Sequence, residues 1–314
     1  MPVTNTTSTS TTAAGNAESP LAKNASGNPG APKDAAAAAV AGDVVRVLEL
    51  LRARRPLVHC MTNEVVKDIT ANVLLAIGAA PAMIEQADEA AGFAACADAL
   101  LVNTGTLADA QIHAMRHAIH AYNRAGKPWV LDPVAIGVPG LELRTRFSRE
   151  ILAHRPALIR GNASEIIALA GQAGKGRGTD SGDAAENALD AAARLVSQTG
   201  AAVLVTGPVD YALAGSRIVS CANGHQLLTR VTGVGCAQGA LAAACAAVAG
   251  DMLHAAAAAA FIMAIAGELA AARAPRPGSF RVALLDEFDR IDADIVRRHA
   301  RAQPGGKCQI SNDE

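Results

Sequence analysis

A cysteine in the first turn of a helix sits where backbone and side chain can act on one ligand, and this chain places Cys236 there. The stretch Val231-Thr232-Gly233-Val234-Gly235-Cys236-Ala237-Gln238-Gly239-Ala240 leads into small apolar residues that run to Ala249. Glycine permits turns that other residues resist and alanine favours helix, so the pattern predicts a helix starting near Gly235. The first N–H groups of such a helix lack internal partners and its dipole adds positive charge, which suits an anion such as phosphate. The same field is expected to lower the Cys236 thiol pKa. The loop reads G-x-G-x-x-x-G from Gly233 to Gly239, a near miss to the dinucleotide fingerprint and late in the chain, and no Walker A pattern occurs. Many glycine turns before alanine helices bind nothing, so the assignment needs other residues.

Those residues collect at the ends of short apolar runs. Arg160-Gly161-Asn162-Ala163-Ser164-Glu165 follows one run and opens a helix. Asn162 and Glu165 have the spacing of a capping box, a structural role that still leaves the carboxylate able to hold Mg²⁺ through water while Arg160 pairs with phosphate. Asp132 ends the run Trp129-Val130-Leu131, and a carboxylate closing a buried strand points to a site. Thr206-Gly207 and Thr232-Gly233 offer hydroxyls and bare backbone to a nucleotide. His59 is a possible base, with a structural role the commoner outcome. His113, His117 and His120 have near-helical spacing, but no carboxylate or Cys completes a metal set, so they read as a solvated face. A rival reading makes Cys236 a nucleophile with His59 as its base.

The elements that must position these groups alternate in type. Strands are expected at Leu57–His59, Ala82–Ile84, Ala99–Val102, Trp129–Asp132, Ala157–Arg160 and Val203–Thr206. Helices are expected at Ile69–Ile77, Ala108–Ala125 and Ala184–Gln198 between them, and at Gly235–Ala249, Leu253–Ala272 and Leu285–Arg297 after them. Such βαβ repetition predicts an α/β fold, a mostly parallel sheet with helices on both faces. Tyr211–Ala214, Arg217–Ser220 and Leu227–Thr229 suggest a short antiparallel edge. Ligands of open parallel sheets sit beyond the carboxyl ends of the strands, where His59 to Asn63, Asn103 to Thr106, Asp132, Arg160 to Asn162 and Thr206 all fall.

Composition narrows the ligand. With 28 Lys and Arg against 29 Asp and Glu, a net charge of -1 and no basic stripe, nucleic acid and anionic membranes are poor partners. The longest apolar run, Ala255 to Gly267, is too short to span a bilayer. The six cysteines form no C-x-x-C pair and read as reduced thiols. No signal peptide is recognisable at the start, so a cytoplasmic protein is expected. Residues 1–42, rich in Ser, Thr, Asn, Gly and Ala, read as a disordered arm. Residues 43–302 read as one domain, with an amphipathic helix from Asp43 to Arg54, and 303–314 as a flexible tail.

From about Asp43 to Arg298 the chain resembles the hydroxyethylthiazole kinases. The resemblance rests on ordered blocks: Pro56 to Val66 (PLVHCMTNEVV), Thr70-Ala71-Asn72, Gly78 to Met83 (GAAPAM), Asn103 to Leu107 (NTGTL), Leu131-Asp132-Pro133-Val134, Ile159 to Ile166 (IRGNASEI), Val231 to Cys236 and Pro277-Gly278-Ser279-Phe280. It implies a ribokinase-like fold, a homotrimer with sites between subunits, and ATP- and Mg²⁺-dependent phosphorylation of 4-methyl-5-(2-hydroxyethyl)thiazole in thiamine salvage. By motif position Met83 would line the thiazole site near Asn63 and Val65, and Gly233 would touch the substrate. Arg160, Thr206 and Gly235 would bind ATP, and Glu165, Asn162 and Asp132 would organise magnesium. Cys236 and Asp132 would be catalytic, with Cys236 where the wider group has an Asp base. Relatives phosphorylating a pyrimidine or pyridine alcohol share this outline. Two departures stand out: Ala135-Ile136-Gly137 replaces the usual Gly-Ala-Gly after the Asp-Pro-Val block, and Pro208 follows Thr206-Gly207 where an acidic residue is common.

Overall fold

The computed structural model describes residues 31–171 and 181–304. Among these, nine strands form one sheet in the order β2-β1-β3-β4-β5-β6-β7-β8-β9. Strands β1 (Leu57–Met61), β2 (Ala80–Ala82), β3 (Ala99–Asn103), β4 (Trp129–Asp132), β5 (Leu158–Asn162) and β6 (Ala202–Thr206) run parallel. Strands β7 (Asp210–Ala214), β8 (Arg217–Cys221) and β9 (Ala302–Pro304) add an antiparallel edge. The two margins, β2 and β9, each contain a proline, Pro81 and Pro304.

The central strands are buried on both sides, which is why they read as continuous apolar runs. On β3 and β4, Leu101 and Val130 join one hydrophobic core while Leu100, Val102, Trp129 and Leu131 join the other. The first core is covered by α1 (Ala31–Arg54), α2 (Lys67–Ile77), α8 (Val234–Val248), α9 (Met252–Arg273), α10 (Pro277–Arg290) and α11 (Ala293–His299). The second lies under α3 (Ala87–Phe93), α4 (Asp109–Arg124), α5 (Glu142–Leu152), α6 (Ala163–Leu169) and α7 (Ser181–Thr199). Helices α8 and α9 pack on each other and are rich in alanine, which has little side-chain entropy to lose. By length and composition α9 passes as a membrane span, but 83% of its apolar window is buried inside the fold, as for a core helix.

Several sequence expectations are corrected. Helix α1 begins at Ala31, upstream of the expected start at Asp43; the rest of the 1–42 arm lies outside the described residues. Gln303 and Pro304, assigned to a tail, lie in β9, and residues 305–314 are outside the description. Leu227–Thr229 is a 3-10 turn (Gln226–Arg230) whose start is capped by the His225 ring, so β9 rather than this segment completes the antiparallel edge. The helix expected over Leu285–Arg297 is two, because Asp292 caps a new start by accepting a hydrogen bond from Ile295 N. Strand β2 lies at Ala80–Ala82 rather than Ala82–Ile84.

Candidate active site

The parallel register brings the polar strand ends side by side. Asn103 pairs in register with Asp132, and Asn162 with Thr206. Asp132 is fully buried, and its Oδ2 accepts a 2.6 Å hydrogen bond from Asn103 Nδ2. Its Oδ1 has no hydrogen-bond partner among the described residues, although Arg160 Nη1 stands 3.5 Å away. Burial pushes the Asp132 carboxyl up to about 7, against the opposing pull of Arg160. A carboxylate of that kind is poised to exchange a proton near neutral pH.

Arg160, in the middle of β5, is itself nearly buried and is held on three sides. Its Nε donates to Gln238 Oε1 at 3.2 Å and its Nη2 to Thr206 Oγ1 at 3.2 Å, besides the ion pair with Asp132. Gln238 in turn donates to Asp210 Oδ2 at 3.4 Å, and Gly207 N donates to Asp210 Oδ1 at 2.9 Å. Burial raises Asp210 to about 6. Gln238 and Asp210 were missed in the sequence. The available signal was Gln238 itself, a lone amide in the alanine run of α8.

Gly233 caps α8 in a left-handed conformation (φ 90°), and no side chain caps the helix among the described residues. The first-turn amides are therefore left to a ligand. Gly235 brings this turn against Arg160, since a Cβ there would lie 3.0 Å from Nη2. Cys236 follows on the same turn, its Sγ accepting from Asn63 Nδ2 at 3.7 Å. The expected lowering of its pKa is overturned: burial first, then the nearby Asp132, push the thiol up to about 12. Burial outweighs the helix field here.

Glu165 and Asn162 form the expected capping box at the start of α6. Glu165 N donates to Asn162 Oδ1 at 3.0 Å, and Asn162 N donates to Glu165 Oε2 at 2.9 Å. The other carboxylate oxygen, Oε1, accepts from Ala135 N at 2.9 Å, tying α6 to the loop after β4. Among the described residues no three His, Cys, Asp or Glu side chains form a ready metal cluster, His113, His117 and His120 included. A hard divalent ion fits this rim only with a ligand that brings its own oxygens, since Asp132 Oδ1 lacks a hydrogen bond but is buried and ion-paired with Arg160.

A cavity of about 670 Å³ opens beside these groups. Arg160, Asn162, Thr206, Gly235 and Gln238 line its polar end, and Leu228, Met263 and Ala264 its apolar end. That volume and polarity fit a nucleotide with its phosphates toward α8. Asn63 and Val65 lie across the rim: Asn63 caps a 3-10 turn by accepting from Val65 N, and the Val65 side chain is exposed. Met83 follows β2, half-buried on the same hydrophobic core as Cys236. His59 is not placed as a base: its buried ring bonds Ile84 O at 2.8 Å and burial lowers its pKa, so it fixes the segment that carries Met83.

The fold is that of the ribokinase-like kinases. The Staphylococcus aureus pyridoxal kinase solved in complex with ADP superposes with a TM-score of 0.52 at 15% identity, covering 68% of this chain and 88% of that one. Closer similarity fixes the branch: the chain belongs to the hydroxyethylthiazole kinase family, whose sequence model matches residues 48–294. The hydroxyethylthiazole kinase of Kineococcus radiotolerans is 55% identical over 247 residues, 79% of this chain and 89% of that one. That of Cronobacter sakazakii is 56% identical over 242 residues, 77% and 91%. The solved Pyrococcus horikoshii hydroxyethylthiazole kinase has a TM-score of 0.77 at 39% identity, covering 84% of this chain and 99% of that one.

Proposed function

We propose that this chain transfers the γ-phosphoryl of ATP to the hydroxyl of 4-methyl-5-(2-hydroxyethyl)thiazole, as a cytoplasmic step of thiamine salvage. The observation that carries the reading is the meeting of the α8 start, which no side chain caps among the described residues, with Arg160 at one cavity, and the buried Asp132 paired to Arg160 behind it. Arg160, Thr206 and Gly235 take the triphosphate, and Gly233, Asn63, Val65 and Met83 take the thiazole. The alcohol oxygen bonds to the γ-phosphorus as the bridging P–O bond to ADP breaks, and Asp132 accepts the alcohol proton. The first amides of α8 face the transferring group, where negative charge must be balanced for the step to run. Cys236, protonated at neutral pH, holds the alcohol rather than deprotonating it.

Mg²⁺ is expected beside Asp132, with Asn162 and Glu165 reached through water; when bound it neutralises phosphate charge. A homotrimer is part of the same proposal, supported by the exposed apolar residues Val65, Leu75 and Val282. A cysteine hydrolase is disfavoured, because a thiol held at about 12 is a weak nucleophile and His59 is engaged elsewhere.

The test is ADP release by the purified full-length chain with ATP, with and without Mg²⁺, on the thiazole alcohol and on hydroxymethylpyrimidine and pyridoxal. Turnover on the thiazole alone is expected. Preference for another alcohol would move the assignment within the fold, and no turnover on any by folded protein would end it.

A further inference from the structure

Asn103 closes β3 and is completely buried between Asn63 and Asp132. Its amide cannot face either way. Oδ1 accepts from Asn63 Nδ2 at 3.0 Å and from Gly105 N at 3.1 Å, so a flipped amide would set N–H against N–H twice. With Oδ1 fixed, Nδ2 is turned to the other side, where one N–H reaches Asp132 Oδ2 at 2.6 Å. Asn63 Nδ2, which donates to Asn103 Oδ1, also donates to Cys236 Sγ at 3.7 Å.

The surroundings are shaped to keep this arrangement. A Cβ on Gly105 would lie 2.8 Å from Asn63 Nδ2 and 3.1 Å from Asn103 Oδ1, so the loop after β3 has room only for glycine. On the far side, a Cβ on Gly239 of α8 would lie 3.1 Å from Asp132 Oδ2. Asp132 Oδ2 is therefore enclosed by Asn103 and the α8 backbone, and Oδ1 is the oxygen left without a hydrogen bond.

We infer that Asn103 is a positioning residue for phosphoryl transfer, whose amide nitrogen holds Oδ2 of Asp132 and so selects Oδ1 as the working oxygen. The inference rests on the reading of Asp132 as proton acceptor. In this reading Asn103 acts through Asp132 rather than on ATP or the alcohol. Losing its grip lets the carboxylate rotate, misaligning the acceptor while the binding surfaces stay in place.

The experiment is a double-mutant cycle on the full-length enzyme, with Asn103→Ala, Asp132→Asn and the pair, measured with both substrates varied. Asn103→Ala is expected to lower kcat by about 10- to 100-fold, the scale of a misplaced catalytic group, with both KM values within about 3-fold. Combined with Asp132→Asn it is expected to add almost nothing, because its effect passes through Asp132. Multiplicative losses in the pair, or a rise in KM at unchanged kcat, would overturn the inference. Should Asn103→Ala unfold, Gly105→Ala displaces the amide without deleting it, and must lower kcat at unchanged KM. If Asp132→Asn alone leaves kcat intact, the failure lies with the reading of Asp132.

Discussion

Gly233 and Ile69 meet where only a hydrogen fits: a Cβ on Gly233 would lie 2.6 Å from Ile69 Cγ2 and 3.0 Å from Val66 Cγ1. The turn that starts α8 is thus seated on α2, and its left-handed backbone (φ 90°) adds a second reason for glycine. Gly233→Ala is expected to destabilise by roughly 1–3 kcal/mol through overpacking, and to raise the thiazole KM. Thermal unfolding and steady-state kinetics check both. An unchanged Tm with normal KM would show that the turn is not so confined.

Asp132 sets a pH dependence with two signs. As proton acceptor it must be ionised, so kcat/KM, which reports the free enzyme, is expected to fall as pH drops through about 7. Its folded-state pKa lies above the ordinary 3.8, so the fold favours the protonated form. The associated stability is present below the ordinary value and is lost as pH rises through about 7. Tm curves for Asp132→Asn and wild type should therefore shift in favour of the variant from about pH 4 to about pH 7, while the variant loses turnover. A gap independent of pH would contradict the raised pKa.

Cys236→Ala should retain activity. With the thiol held at about 12, its removal costs alignment rather than a base, so the loss in kcat should stay below about 10²-fold, the low end of general-base catalysis. Iodoacetamide should label Cys236 slowly at neutral pH. Rapid labelling accompanied by complete loss of transfer would return the thiol to a chemical role.

Glu165 holds a strained loop. Ala135 sits at φ 57°, a left-handed conformation unusual for a residue with a Cβ, and donates its N–H to Glu165 Oε1. Glu165→Gln turns one amide hydrogen toward an existing N–H donor, which should destabilise by about 1–3 kcal/mol. Ala135→Gly should instead raise stability by up to about 1–2 kcal/mol, the usual penalty of that conformation for an L-residue. Denaturant unfolding of both variants decides this, and equal effects of the same sign would be incompatible with it.

The sheet was legible because its central strands are apolar on both faces; Trp129–Asp132 could be read to its ends. Helices α3 and α5 were not, since α3 buries only Ala90 and α5 only Phe147, Ser148 and Ile151, too few to set a period. Asp132, Arg160 and Glu165 announced themselves as charges at strand ends. Their partners did not: Gln238 lies 78 positions from Arg160, and Ala135 reaches Glu165 only after β4 and β5 pair. The Cys236 thiol was misjudged because local spacing reveals a helix start but not the depth at which it is buried.

The prolines in β2 and β9 bear on how the protein behaves when crowded. A sheet of this breadth would ordinarily offer two open rows of amides on which further chains could stack, yet each outer row is interrupted by a residue with no hydrogen to give. Among the described residues, fibre growth from either edge is thereby discouraged without any change to the candidate site, which lies on the inner strands.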